Sequence, residues 1–549
     1  MNKTVIIGGV AGGATAAARL RRLDEDAEIV ILERSAYVSY ANCGLPYHLG
    51  GVISDRDDLI IKTAEDFLNR YNIEVRLLQE AQTIDRVGQS VLVKDLATGA
   101  LYDESYDNLI IATGAKATVP EADADARDRV FTLQTMDDMD RILVFIKEQQ
   151  PQQVAILGGG FIGIEAAENL VNLGLQVSII QRSNQILPPL DPEMSILPQA
   201  ELTNKGVSLL LDSPVSRISR AADGINIELM DGSSCMVDFI IAAIGVRPEN
   251  TLAVQAGLDI GEHGGILTDE HMRTSDPRIF AVGDVVEVHE YVSQNPSLIA
   301  LAGPATKQAR IAADNIYGIE STYQGTQGSQ IIKVFDLAVA STGINEKQAI
   351  SQSLDYDKIY FSASNHADYY PGSTDIQFKV LFLKSTGKIL GAQVIGYEGV
   401  DKRCDVLATA IRAGMTGSDL GELQLCYAPP FSSAKDPINT IGYMIENLLT
   451  GKLLQFHWHD VDQLPTDGTV NLIDVRTPSE YDRGHVFGFV NIPVDDMRRR
   501  IDEIDASKHT YLICQQGVRS YTAARILAAH GIKSTHLCGG YRFYSLAKL

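Results

Sequence analysis

One pattern occurs twice in this chain: a β-branched apolar strand, a turn dense in glycine, an alanine-rich helix and a second apolar strand. TVIIGGVAGGATAAARLRRLDEDAEIVILER starts at Thr4, and VAILGGGFIGIEAAENLVNLGLQVSIIQR returns from Val154, about 150 residues later. Such a unit folds as βαβ. Its glycines permit a tight turn and close backbone approach, so the helix N-terminus can meet a pyrophosphate. Two copies in strand–turn–helix context predict an α/β chain with two Rossmann-like dinucleotide-binding domains.

The rest of the chain is long enough for more. At 549 residues there is room for three to four domains. Forty-seven basic residues against seventy acidic leave a net charge of −23, which argues against nucleic acid or an anionic membrane surface as a partner. The longest apolar runs, such as 239–246, are strand-sized, so no membrane segment is expected. MNKTVIIGG enters a strand at once, with no secretory leader pattern. Six cysteines without a CxxC pair fit neither a disulfide framework nor a zinc site, and a reducing cytoplasm is expected. His457 and His459 lack a third ligand, so no metal is expected.

DFIIAAIGVRPEN and RIFAVGDVVEV read as strands returning to the first domain, which would then be discontinuous, 1–117 with 238–320, around a second domain at 118–237. Mixed strands and helices without a phosphate loop follow at 321–448, an α+β domain. A smaller α/β unit fills 457–549.

In the first loop Gly8 allows the turn and Gly13 the close helix packing; Val10 stands where a middle glycine is usual, flanked by Gly9, Ala11 and Gly12. Glu33, at the end of the second strand, suits the hydroxyls of an adenosine ribose. The second loop has all three glycines, Gly158, Gly160 and Gly163, but ends at Gln181 and Arg182, where a base tolerates a 2′-phosphate. Asp284, after Gly283, can bond a ribityl or ribose hydroxyl or cap a helix. Cys43 in SYANCGLPY stands beside a helix start, where a thiol can have a lowered pKa. No second cysteine lies nearby to close a redox disulfide.

Residues 1 to about 445 resemble the FAD-dependent pyridine nucleotide–disulfide oxidoreductases. Within these they resemble the single-cysteine branch of coenzyme A disulfide reductases, NADH oxidases and NADH peroxidases. GGVAGG, SYANCGLP, ATG at Ala112, Thr113 and Gly114, GGGFIG, AVGD and YAPPFSSAKDP carry the resemblance. It implies FAD on the first unit, NAD(P)H on the second, a dimerisation domain third, and Cys43 beside the flavin. It also implies a homodimer in which Tyr427 helps build the flavin site across the interface. Positions matching the family's coenzyme A pocket are Thr15, Arg19, Arg22, Ser39, Asn42 and Lys435. Arg19, Arg21 and Arg22 together form a basic cluster in an acidic chain. Two family tyrosines correspond to Tyr369, with Tyr370 as competitor, and Tyr427; a phenol near the thiol can protonate a leaving thiolate.

LIDVRTPSEYDRGHVFGFVNIP and TYLICQQGVRSYTAARILAAHG resemble a rhodanese domain and its active loop. Backbone N–H groups, the helix dipole and Arg519 can hold an anionic sulfur on Cys514. Four residues between Cys514 and Arg519, instead of the five of phosphotyrosine phosphatases, favour sulfur over phosphate. Asp474, Arg476 and Cys538 read as structural. The resulting expectation is an NAD(P)H-dependent reductase of coenzyme A disulfide, coenzyme A persulfide or polysulfide. The alternative is an NADH oxidase or peroxidase cycling Cys43 through a sulfenic acid.

Overall fold

The computed structural model describes residues 3–548. The chain divides into two compact units, one running to Ile186 and resuming over Leu202–Gly328, the other made of Leu187–Glu201 and the residues from Ser329 onward.

The first unit holds both glycine-loop units, each on its own five-stranded parallel sheet. One sheet runs in the order Ile279–Ala281, Asn108–Ile111, Lys3–Ile7, Glu28–Glu33, Glu74–Leu77. Its strands are near-continuous apolar runs because both faces are covered; Val5, Ile6, Val30 and Ile110 are fully buried. The second sheet runs Ser208–Leu210, Gln176–Ile180, Gln153–Leu157, Phe239–Ala242, Val130–Phe131. This corrects the expected boundary at 238. Phe239–Ala242 pairs with both Gln153–Leu157 and Val130–Phe131, so the chain leaves the second domain only after Ala242. The four-residue apolar strand FIIA suits the centre of either sheet equally, and only pairing distinguishes them.

The second unit opens with a five-stranded antiparallel sheet, ordered Gln330–Val334, Leu337–Gly343, Ile389–Gly396, Asp375–Leu383, Tyr356–Ser364. Register sets Tyr360, Lys379 and Gln393 in one cross-strand row. There the fully buried Lys379 Nζ reaches Asp191 at 2.7 Å and Glu193 and Glu346 at 2.6 Å each. Residues after 454 form a five-stranded parallel sheet, Gln455–Phe456, Ser534–Leu537, Thr510–Ile513, Asn471–Asp474, Val490–Asn491. Tyr360 joins the two parts: its ring stacks on Phe543 at 4.1 Å and its N–H donates to Cys538 Sγ at 3.2 Å. Among the described residues no helix is long and apolar enough to cross a membrane.

Candidate active site

The two glycine loops use one construction. Gly8 (φ +98°) lies under the Ala112 carbonyl and Gly158 (φ +104°) under that of Ala243; a Cβ on either would come to 2.3 Å from the oxygen. A Cβ on Gly13 would meet Gly8 O at 1.8 Å, and one on Gly163 would meet Gly158 O at 2.1 Å. Only glycine lets strand, turn and helix approach so closely. A Cβ on Gly160, the N-cap of helix Phe161–Asn172, would meet nothing within 4 Å among the described residues, which leaves room for a ligand on that side of the backbone.

The strand-end residues are also matched. Glu33 accepts from Gly9 N at 2.9 Å and from Ser35 N at 2.8 Å, while Gln181 Oε1 accepts from Gly159 N at 3.0 Å. Gln181 thus braces its loop as Glu33 does, without the negative charge. Arg182 beside it is exposed.

A cavity of about 520 Å³ opens along the first loop. It is lined by Gly8, Gly9, Val10, Ala11, Gly12, Glu33, Asn42, Ala112, Thr113, Gly114, Gly283 and Asp284, among others. The size lies within the range of cofactor pockets. Gly13 packs beneath the loop and does not line the cavity. These residues fit a dinucleotide: a bare glycine cradle at a helix N-terminus, and the carboxylates Glu33 and Asp284 within the lining. Burial pushes the Asp284 carboxyl up from its usual range.

Cys43 follows Asn42 in a short 3-10 turn, Asn42–Gly44, where its N–H donates to Asn42 Oδ1 at 3.1 Å. It is an exposed free thiol, and all six cysteines are free. The expected lowering of its pKa is not found. Burial, then the charges of Glu165 and Asp284, push it up, outweighing the bond from its own backbone. Sequence reading missed Glu165, on helix Phe161–Asn172. Burial pushes its carboxyl to about 7, against the Tyr47 O–H donated at 3.3 Å. Nothing local marks it, because Tyr47 and Glu165 lie 118 positions apart.

On helix Ala11–Leu23, Thr15, Arg19 and Arg22 recur at one helical face. Arg21 does not belong to that basic cluster: it is buried, and its guanidinium donates to the carbonyls of Asp24, Glu25, Ala27, Tyr71 and Asn72. Arg19 is bound to Asp314, and Arg22 is exposed over the Tyr71 ring. Ser39 takes φ +48°.

In the second unit the Tyr369 and Tyr427 hydroxyls meet at 3.0 Å, both rings exposed. Tyr370 instead sets its ring edge against His366. Lys435 is exposed directly before Asp436, the N-cap of helix Pro437–Leu449.

Cys514, 1% exposed, ends strand Thr510–Ile513, and the chain turns at Gly517 (φ +119°) into helix Val518–Ala529. Gly517 N donates to Sγ at 2.9 Å, and Sγ lies 3.3 Å from Ser520 Oγ, which in turn lies 3.0 Å from His536 Nδ1. Arg519 holds Glu480 through two bonds, at 2.7 and 2.8 Å, and these keep the Glu480 carboxyl down at about 2. The Arg519 guanidinium is thus shared with a carboxylate, a pairing no local motif announced. Arg476, bound to Asp474 and stacked at 3.9 Å over Tyr541, is buried structure.

Comparison with known proteins matches residues 2–309 to the pyridine nucleotide-disulphide oxidoreductases, 329–437 to their dimerisation domain and 457–546 to the rhodanese-like domain. Coenzyme A disulfide reductase of Staphylococcus epidermidis is 34% identical over 444 residues, 81% of this chain and 99% of that protein. Two solved structures extend over both parts. Reduced Bacillus anthracis CoADR-RHD superposes with TM-score 0.96 at 43% identity, covering 99% of this chain and 98% of that one. An NAD-dependent persulfide reductase from A. fulgidus gives TM-score 0.90 at 36% identity, covering 98% and 99%. The chain belongs to the pyridine nucleotide-disulphide oxidoreductases and carries a rhodanese-like domain at its carboxy-terminal end.

Proposed function

We propose that this protein is an FAD-dependent NAD(P)H oxidoreductase that reduces sulfur–sulfur bonds of coenzyme A disulfide, coenzyme A persulfide or polysulfide through Cys43. The observation that carries the reading is the exposed, unpaired Cys43 thiol next to Asn42 of the first cavity, with no other cysteine bonded to it. The names of the relatives, coenzyme A disulfide reductase and persulfide reductase, support the substrate class.

The Cys43 thiolate attacks one sulfur of R–S–S–R′. The Cys43–S–R bond forms as the S–S bond breaks, and the second sulfur leaves as a thiolate that takes up a proton. Two electrons and one proton then cleave Cys43–S–R into the Cys43 thiolate and R–SH. NAD(P)H and FAD, which the two glycine loops would hold, would supply these electrons as a hydride equivalent. Glu165, which burial holds near neutrality, repels the Cys43 thiolate less once it is protonated. Tyr369 and Tyr427, contributed across a homodimer, donate to the leaving sulfur. Thr15, Arg19, Arg22, Ser39, Asn42 and Lys435 hold the coenzyme A moiety. Gln181 and Arg182 accommodate NADPH alongside NADH, and Cys514 carries sulfane sulfur as a persulfide. Six free thiols suit a reducing cytoplasm.

The test is anaerobic turnover of Cys43→Ser. Loss of about a thousandfold in NAD(P)H-dependent polysulfide and coenzyme A disulfide reduction, with flavin absorbance kept, is expected. Full retention of polysulfide reduction overturns the proposal, as does faster wild-type turnover with oxygen or peroxide than with any sulfur substrate. Sedimentation should give twice the chain mass.

A further inference from the structure

Strand pairing and the helix that follows bring two side chains, His536 and Ser520, beneath the second sulfur. His536 is registered opposite Leu512, and Cys514 lies two residues beyond Leu512, so both face the same side of the sheet. Ser520, in the first turn of the following helix, stands between them. Cys514, Ser520 and His536 are each at most 1% exposed. His536 Nε2 is buried without a hydrogen-bond partner among the described residues.

The donors and acceptors of this chain can be counted. Ser520 has one proton to give and three neighbours: Cys514 Sγ at 3.3 Å, Gly517 O at 2.9 Å and His536 Nδ1 at 3.0 Å. If Nδ1 carried no proton, it would draw the serine proton to itself and leave an orphaned N–H at the partnerless Nε2. A buried orphan donor is rarer than an orphan acceptor, which places the ring proton on Nδ1. Nδ1–H then donates to Ser520 Oγ, which leaves the serine proton to Gly517 O and, once Cys514 is a thiolate, to Sγ. Burial pushes the His536 pKa down to about 4, so the ring stays neutral at physiological pH and acts as a fixed donor.

We propose that His536 is a positioning residue for Cys514: through its bond to Ser520 it turns the serine hydroxyl toward Sγ and, together with Gly517 N–H, stabilises the anionic sulfur. This rests on the reading of Cys514 as a sulfur-carrying thiol. In that role the thiolate attacks a sulfane sulfur, forming Cys514–S–S⁻ and releasing the donor shortened by one sulfur. Arg519 is paired with Glu480, Arg476 with Asp474 and Arg542 with Asp375, and His457 Nε2 lies 3.1 Å from Asp357.

The experiment is an ultraviolet thiolate titration of the full-length holoprotein carrying Cys43→Ser. Each variant is compared with the same protein also carrying Cys514→Ser, so that the difference spectrum reports Cys514 alone. His536→Phe keeps a ring without a donor, and Ser520→Ala removes the relay; both should raise the Cys514 midpoint by about one pH unit, a tenfold loss of thiolate near neutrality. His536→Asn, which restores an N–H, should stay within a few tenths of a unit of the parent. Should His536→Phe fail to fold, His536→Leu takes its place. An unmoved midpoint in both donor-deleting variants overturns the proposal, as does a His536→Asn shift as large as that of His536→Phe. The underlying reading has its own check: mass spectrometry of the polysulfide-treated parent should find one added sulfur on Cys514. Its absence would sink the sulfur-carrier role without altering the titration.

Discussion

Around Cys43 the protein's own groups oppose a thiolate. Burial and the carboxylates of Glu165 and Asp284 all act in the same direction, and Glu165 itself titrates near pH 7. Above that pH Glu165 is charged and holds the Cys43 proton on; below it the repulsion fades. Glu165→Gln should therefore lower the Cys43 midpoint by several tenths of a unit and speed its alkylation at pH 8 about two- to threefold, read by peptide mass spectrometry. A second residue-scale prediction concerns Gln181 and Arg182. A carboxylate in place of Gln181 would still accept from Gly159 N but would repel a 2′-phosphate. Gln181→Glu together with Arg182→Ala should cut the NADPH-to-NADH ratio of kcat/KM by roughly tenfold or more, about 1.4 kcal/mol.

At the scale of elements, the antiparallel sheet is pinned by a buried ammonium among three carboxylates. Lys379 Nζ bonds Asp191, Glu193 and Glu346, while Tyr360 O–H donates to Glu193 and Gln393 to Asp191. Removing the cation leaves those charges buried and uncompensated. Lys379→Met should cost about 3–5 kcal/mol, measured as a lower denaturation midpoint. The same network gives a pH dependence. Burial alone would raise Glu346, but the Lys379 charge and the bonds from Lys358, Lys379 and Tyr356 hold it at about 2, and Glu193 is also lowered. A carboxyl lowered on folding contributes its stability above its unfolded pKa, ~4.3, and loses it as pH falls toward 2. Acid unfolding of the wild type should accordingly steepen between about pH 4 and 2, and the Lys379→Met protein should lack most of that component.

For the molecule as a whole, the rhodanese-like part is held to the dimerisation part by a packed seam built on the Tyr360–Phe543 stack, Cys538 and the His457–Asp357 pair. Phe543, 1% exposed, fills that seam, and Phe543→Ala should cost about 3–5 kcal/mol. Calorimetry should then resolve an earlier transition for the carboxy-terminal part, with the transition of the unit holding the two glycine loops unmoved. The glycine loops, their strand-end residues, Cys43 and the Cys514 loop were all legible in the sequence. Each is a run of adjacent residues whose chemistry is local: a positive φ that glycine alone adopts freely, a helix start, a thiol among small residues. Arg21 was misread because a basic triplet does not reveal which helical face turns inward, and Phe239–Ala242 because an apolar strand names no sheet. Glu165, Glu480 and His536 could not be found at all, since their partners stand 118, 39 and 16 positions away. The sequence alone determined the two glycine-loop βαβ units and which two cysteines stand beside a helix start, because residue identity and short-range sterics dictate them. Only tertiary structure decided how acidic the Cys43 sulfur is, because burial and the charges from distant segments are set by packing.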